Sequence, residues 1–166
     1  MTDKLLRPEF TKQLVERLIQ GESINLTAPH GFGRRRTLQD LKTLLPASMG
    51  VLQADMKYCA NDYAATLTEL YVQTGLPGKE DACFKSLITM LAEKAHPSLL
   101  ILHNFDLLRC QPHDPRYDQE LLPYLAGFRQ HSKLSLLTVC EMAYSDWPLP
   151  CSTLAIPPLP PGEYAS

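Results

Sequence analysis

Apolar residues recur at helical spacing in some stretches of this chain and run unbroken in others, and the two patterns alternate along its length. In RPEFTKQLVERLIQGES, Phe10, Leu14, Leu18 and Ile19 share one helical face, with Pro8 near the start and Gly21 at the stop. SINLTAP predicts a short strand over 24–27. RRRTLQDLKTLLP carries Leu38, Leu41, Leu44 and Leu45 on one side and is closed by Pro46, which predicts a second helix. MGVLQADMK predicts a strand over 50–54. NDYAATLTELYVQTGLPG predicts a helix with an Asn or Asp cap, ended by Gly75 and Pro77. EDACFKSLITMLAEKAHP predicts another, on Phe84, Leu87, Ile88 and Leu91.

SLLILHNFDLL is a continuous apolar run, the pattern of a strand buried on both faces of a parallel sheet. RCQPHDPRYD reads as a loop and QELLPYLAGFRQHS as a helix with Pro123 inside it. LSLLTVCEM is a second buried strand. STLAIPPLPPGEYAS holds a last short strand, 153–156, before a proline-rich end. Strands alternating with helices require crossover connections. The expected fold class is therefore α/β, a three-layer α/β/α sandwich around a mostly parallel five-stranded sheet. Residues 1–22 are expected to form a helix packed on a core domain of residues 23–166.

Composition narrows this picture without redirecting it. The chain has 166 residues, enough for one domain with a real core, and its 45% hydrophobic and 20% charged fractions are those of an ordinary globule. A net charge of −2 argues against attraction of the whole molecule to nucleic acid but leaves room for a local basic patch. No apolar run approaches the ~20 residues that span a membrane, and MTDKLLRPEF lacks a signal core, so a cytoplasmic location is expected. Cys59, Cys83, Cys110, Cys140 and Cys151 form no Cys-x-x-Cys pair and the histidines are scattered, so no metal site is expected.

Between the first strand and the second helix lies TAPHGFGRRRT, Thr27 to Thr37, with Gly31 and Gly33 in a tight turn and Arg34, Arg35 and Arg36 opening the helix. Taken alone it is open to two readings: a turn feeding a basic first helical turn, or a descendant of a phosphate-cradling loop. Cations at a helix N-terminus oppose the helix dipole by ~0.3–1 kcal/mol each. A compensating anion is expected there, with an internal salt bridge to Asp106 or Asp55 favoured over a ligand.

In its order of elements the chain resembles the P-loop NTPase core of the AAA-type and STAND ATPases, and the related origin-recognition and transposition-regulator ATPases, from about Ser23 to Tyr164. The resemblance aligns Pro29, His30, Gly31, Phe32, Gly33, Arg34, Arg35 and Arg36 with the phosphate loop, in degenerate form. Ala28 stands at the family's first glycine, Arg34 at its lysine and Arg35 at its Ser/Thr, while Thr37 lies two residues too far along. The family's apolar strand ends in Asp-Glu, where this chain has His103 and Asn104; Asp106 is the nearest carboxylate. The sensor strand's polar residue would be Thr138, Cys140 or Glu141. IPPLPPGEYAS resembles the stretch that leads into the family's helical lid, and no lid is expected after it.

The resemblance thus implies a catalytically inactive pseudo-NTPase that acts as a protein-interaction or regulatory subunit, with a protein partner or homo-oligomer and without a cofactor. One alternative is a nucleotide-binding switch or weak ATPase holding ATP or ADP on Gly31, Gly33 and Arg34, with Asp106 recruited for metal. A second is a nucleic-acid accessory working through the arginine cluster. Beside these stand plainer readings: His103 as a buried, hydrogen-bonded strand-end histidine, His30 as a turn residue, and Tyr144 and Trp147 as local packing or part of a partner surface. A nucleophile pair of Cys59 or Cys140 with His103 has no motif behind it.

Overall fold

The computed structural model describes residues 5–29, 31–75, 83–110, 112–131, 133–142, 149 and 151–158. His30, Pro77, Tyr144, Trp147 and the proline-rich end beyond 158 lie outside the described residues. Helix α1 (Pro8–Ile19) leads to β1 (Ser23–Thr27) and α2 (Arg34–Leu44). Then come β2 (Gly50–Asp55), the short α3 (Met56–Cys59), α4 (Tyr63–Thr74) and α5 (Phe84–Ala92). Next are β3 (Ser98–His103), α6 (Leu107–Cys110), α7 (Leu122–Ala126), β4 (Leu134–Cys140) and β5 (Ser152–Ala155).

The five strands form one sheet in the order β2-β3-β4-β1-β5, and every described pair is parallel. The unbroken apolar runs follow from that. In β3, Leu99 and Ile101 face one way and meet Leu14 and Leu18 of α1 and Leu38 and Leu41 of α2. Leu100 and Leu102 face the other way, onto Tyr63 and Leu70 of α4 and Phe84, Leu87 and Leu91 of α5. A strand with helices on both sides has no solvent face, so its pattern cannot alternate. The architecture is the expected three-layer α/β/α sandwich. The edge strand β2 is closed on its open side by Gln73 of α4. Its side-chain Oε1 accepts from the Gln53 backbone N–H at 2.7 Å, and its Nε2 donates to the Gln53 carbonyl at 2.8 Å.

Three expectations need correction. Ile19 is 43% exposed; Thr11, Leu14, Val15 and Leu18 form the buried stripe of α1 instead. Arg109 and Cys110, the first residues of the expected loop, close α6, which begins at Leu107 within the apolar run expected as strand. The helix expected over QELLPYLAGFRQHS is divided in three: a wide π turn over Tyr117–Leu121, then α7, then a 3-10 turn over Phe128–Gln130. Pro123 has no N–H to donate, so regular pairing is interrupted beside it. The Leu122 N–H reaches back five residues to the Tyr117 carbonyl.

Candidate functional site

The carboxyl ends of β1, β2 and β3 and the start of α2 surround one open cleft of about 990 Å³. Ligands of open α/β sheets characteristically bind outside the carboxyl ends of the strands. The Gly-rich turn forms one wall. Ala28, fully buried, anchors the turn to the sheet by donating its N–H to the Cys140 carbonyl at 2.7 Å. Gly31 has φ 87° and Gly33 φ 70°, both left-handed, which is why glycine stands at these two positions. Gly33 is the N-cap of α2 and supplies no capping side chain, and the first turn of α2 has no acidic residue. The first N–H groups of that helix therefore have neither an intrahelical acceptor nor a capping side chain, and Gly33, Arg34 and Arg35 line the cleft beside them.

Arg34 fills the centre of this arrangement. Its Nη1 donates to the Ala28 carbonyl at 3.1 Å and its Nη2 to Asn104 Oδ1 at 3.1 Å. Asn104 Nδ2 in turn donates to Asp55 Oδ1 at 2.8 Å, and that oxygen also accepts the Lys57 N–H at 2.9 Å. The expected salt bridge from the arginine cluster to Asp106 or Asp55 is therefore replaced, for Arg34, by an amide relay. Asn104 can sit there because it turns the chain out of β3 with φ 53°, a conformation Asn tolerates better than most residues.

His103 Nε2 donates to Gln53 Oε1 at 3.0 Å, and Lys42 Nζ makes a long 3.5 Å contact with the same oxygen. Burial lowers the pKa of His103 from its usual value; Asp55 opposes that, while the charges of Lys42 and Arg34 add to it. A lowered pKa keeps the ring neutral at neutral pH.

Pro29, Gly31, Gly33, Arg34, Arg35, His103 and Asn104 are thus brought to one cleft. The remaining sequence candidates sit elsewhere. Arg36 turns to Asp40, with Nε 3.0 Å from Oδ1. Phe32 is exposed and does not line the cleft. Asp106 is buried, does not line the cleft and accepts the Glu141 N–H at 3.2 Å. Thr138 donates to Asn25 Oδ1 at 2.9 Å inside the sheet, and Cys140 Sγ donates to the same oxygen at 3.2 Å. Burial pushes the Cys140 thiol well up, and Cys59 Sγ is bonded to the Asp55 carbonyl at 3.0 Å. Neither cysteine is paired with His103. No group of three or more His, Cys, Asp or Glu gathers among the described residues.

Further residues contribute that no sequence motif singles out. Gln39, Gln53, Lys57 and Tyr58 line the cleft without belonging to any motif. Arg7 supports it from behind. Only 6% exposed, Arg7 donates from Nη2 to the Phe32 carbonyl at 2.5 Å, from Nη1 to Thr37 Oγ1 at 2.7 Å and from Nε to the Pro157 carbonyl at 2.7 Å. The adjacent Leu6 N–H donates to Asp40 Oδ2 at 3.0 Å. No local signal in LLRPEF announces this role, because its partners lie 25, 30 and 150 residues away.

The sequence matches no family model and no curated protein. Solved structures do share the fold. Cdc6p from Pyrobaculum aerophilum superposes with a TM-score of 0.62 at 15% identity, over 85% of this chain and 40% of that one. A chain of Drosophila ORC bound to DNA gives 0.62 at 17% identity, over 89% and 40%. Another, of Drosophila ORC bound to poly(dA/dT) DNA and Cdc6, gives 0.62 at 13% identity, over 92% and 29%. At these identities the likeness is one of fold: the five-stranded parallel P-loop NTPase sheet with its flanking helices. This chain spans less than half the length of each.

Proposed function

We propose that this chain is a catalytically inactive P-loop NTPase-like domain serving as a protein-interaction or regulatory subunit of a larger complex. The observation that carries this reading is the placement of Arg34. Its guanidinium is bonded to the Ala28 carbonyl and to Asn104, so the cation that stands at the family's lysine position already has acceptors from the protein itself. The surrounding donor set points the same way. Asp55 is the one carboxylate lining the cleft among the described residues, and its Oδ1 already accepts two hydrogen bonds. Arg35 offers no hydroxyl to a metal ion, and Asp106 does not line the cleft but accepts the Glu141 N–H. These residues do not suit a magnesium-bound triphosphate, and no hydrolytic step is assigned to them.

The test is thermal unfolding with and without ATP or ADP plus Mg²⁺, on the wild type and on Arg34→Ala. No shift at millimolar nucleotide is expected. A ligand at 100 times its dissociation constant stabilises by about 2.7 kcal/mol, which such a scan detects easily. A nucleotide-dependent shift that Arg34→Ala abolishes would overturn the proposal.

The second reading is a nucleotide-binding switch. What favours it is the open cleft together with the left-handed Gly31 and Gly33, which keep a phosphate loop's backbone shape. A nucleic-acid role draws on two ORC structures described as bound to DNA and on the arginine cluster. The net charge of −2 counts against it.

A further inference from the structure

Among the described residues, the charges lining the cleft do not balance. Arg34, Arg35, Lys42 and Lys57 line it, and among the described residues Asp55 is the only lining carboxylate. Arg34 and Asp55 are already engaged through Asn104. Arg35 is exposed and makes no hydrogen bond or ion pair among the described residues. The positive end of the α2 dipole adds to the imbalance.

The cations are also ordered. Arg35, Leu38, Gln39 and Lys42 all line the cleft and fall at i, i+3, i+4 and i+7 of α2, one face of the helix. Seven residues at 1.5 Å rise separate Arg35 from Lys42 by about 10 Å along the axis. Across from them, α3 contributes Lys57 and Tyr58. Tyr58 is 80% exposed, and its ring centroid lies 5.7 Å from Lys57 Nζ.

Resting on the reading of an inactive interaction domain, we infer that this cleft docks an acidic segment of a partner protein. Charge complementarity selects the chemistry, and the stripe on α2 sets its spacing. About three residues of extended chain span the stripe, and side chains on one side of such a chain repeat every ~7 Å. Carboxylates of the segment engage Arg35 and Lys42, whose long side chains bridge the difference between the ~7 Å repeat and the ~10 Å stripe, and the chain between them passes beside the exposed Tyr58. Single-stranded nucleic acid fits less well. It calls for a succession of stacking rings along the groove, and Tyr58 is the one aromatic lining it among the described residues.

The experiment is fluorescence anisotropy of a labelled hexaglutamate peptide with the full chain, with hexaglutamine and dodecathymidylate as parallel probes. Two double variants carry the same change in net charge. Arg35→Glu with Lys42→Glu reverses the stripe, and Lys12→Glu with Lys85→Glu reverses exposed lysines on α1 and α5. Circular dichroism checks that each folds, and Arg35→Gln with Lys42→Gln replaces the first pair where it does not. Hexaglutamate is expected to bind the wild type, to lose about tenfold or more on the stripe variant, and to change less than about twofold on the control. Equal loss on both variants, tighter binding of dodecathymidylate, or no binding of hexaglutamate overturns the inference. Adding ATP and Mg²⁺ separates the two proposals. Nucleotide that binds while the peptide stays bound removes the inactive-domain reading and leaves the docking intact. Absence of both kinds of binding removes the docking alone.

Discussion

Two arginines hold the Gly-rich turn from opposite sides, and they do so under different physical conditions. Arg7 grips it from behind, almost wholly buried, with three hydrogen bonds to two carbonyls and the hydroxyl of the fully buried Thr37. Arg34 holds it from the cleft side, partly exposed, with two bonds, one of them to a side chain that is itself part of a relay. Burial lowers the pKa of Arg7, the mark of a cation taken out of water. Hydrogen bonds to a buried charge are strong, and costly to leave half-made. Those of a partly solvated charge can be replaced by water. The back of the turn is therefore a structural latch, and its front is a surface that can change partners.

The largest test of this contrast is Arg7→Ala. It strands the Phe32 and Pro157 carbonyls and the Thr37 hydroxyl, and should cost about 3 kcal/mol in urea unfolding. Arg7→Lys should recover only part of that, since one ammonium cannot reproduce a three-way fork. A loss under about 1 kcal/mol would mean the latch is incidental.

Gly33→Ala should come next, at about 1–2 kcal/mol, because its left-handed φ of 70° penalises any Cβ. Denaturant melts of this variant would show whether the turn shape itself, and not only the arginines, is under constraint.

Arg34→Met should change stability by less than about 1 kcal/mol, since water can take over its bonds. A loss as large as that of Arg7→Ala would erase the distinction between front and back.

The smallest effect concerns His103. Its folded pKa is depressed, so the unfolded chain binds the proton more readily. The sign follows directly: the contribution is neutral above the ordinary histidine value of about 6.5 and becomes destabilising as pH falls below it. His103→Gln should flatten the dependence of melting temperature on pH over that range, and an unchanged slope would assign it to other groups.

Much of the scaffold could be read directly from residue patterns. The five strands, the helix starts at Pro8 and Arg34, an Asn or Asp cap on α4, which the structure assigns to Asp62, and the stop at Gly75 are local events with local causes. The site was legible in part. TAPHGFGRRRT and LLILHN mark the ends of β1 and β3, and a parallel sheet must bring such ends to one side. Asp106 and Thr138 were harder to place. Once Asn104 turns the chain out of β3, strand alternation no longer says where Asp106 points. Thr138 lies on β4, where neighbouring Asn25 accepts its hydroxyl within the sheet.

The order of apolar and polar positions by itself determined the layers of this protein, because burying both faces of a strand demands an unbroken apolar run whatever its neighbours are. It also determined the chemistry at the turn, three arginines where a phosphate loop carries other groups. Only the tertiary structure decided what those arginines do. Arg34 relays to Asp55 through Asn104, Arg36 turns to Asp40, Arg35 is left exposed, and the unannounced Arg7 closes the turn from behind. A guanidinium takes whichever acceptors the fold places within about 3 Å of it. For Arg7 and Arg34 those acceptors include groups contributed from 25 to 150 residues away, a proximity that no local pattern encodes.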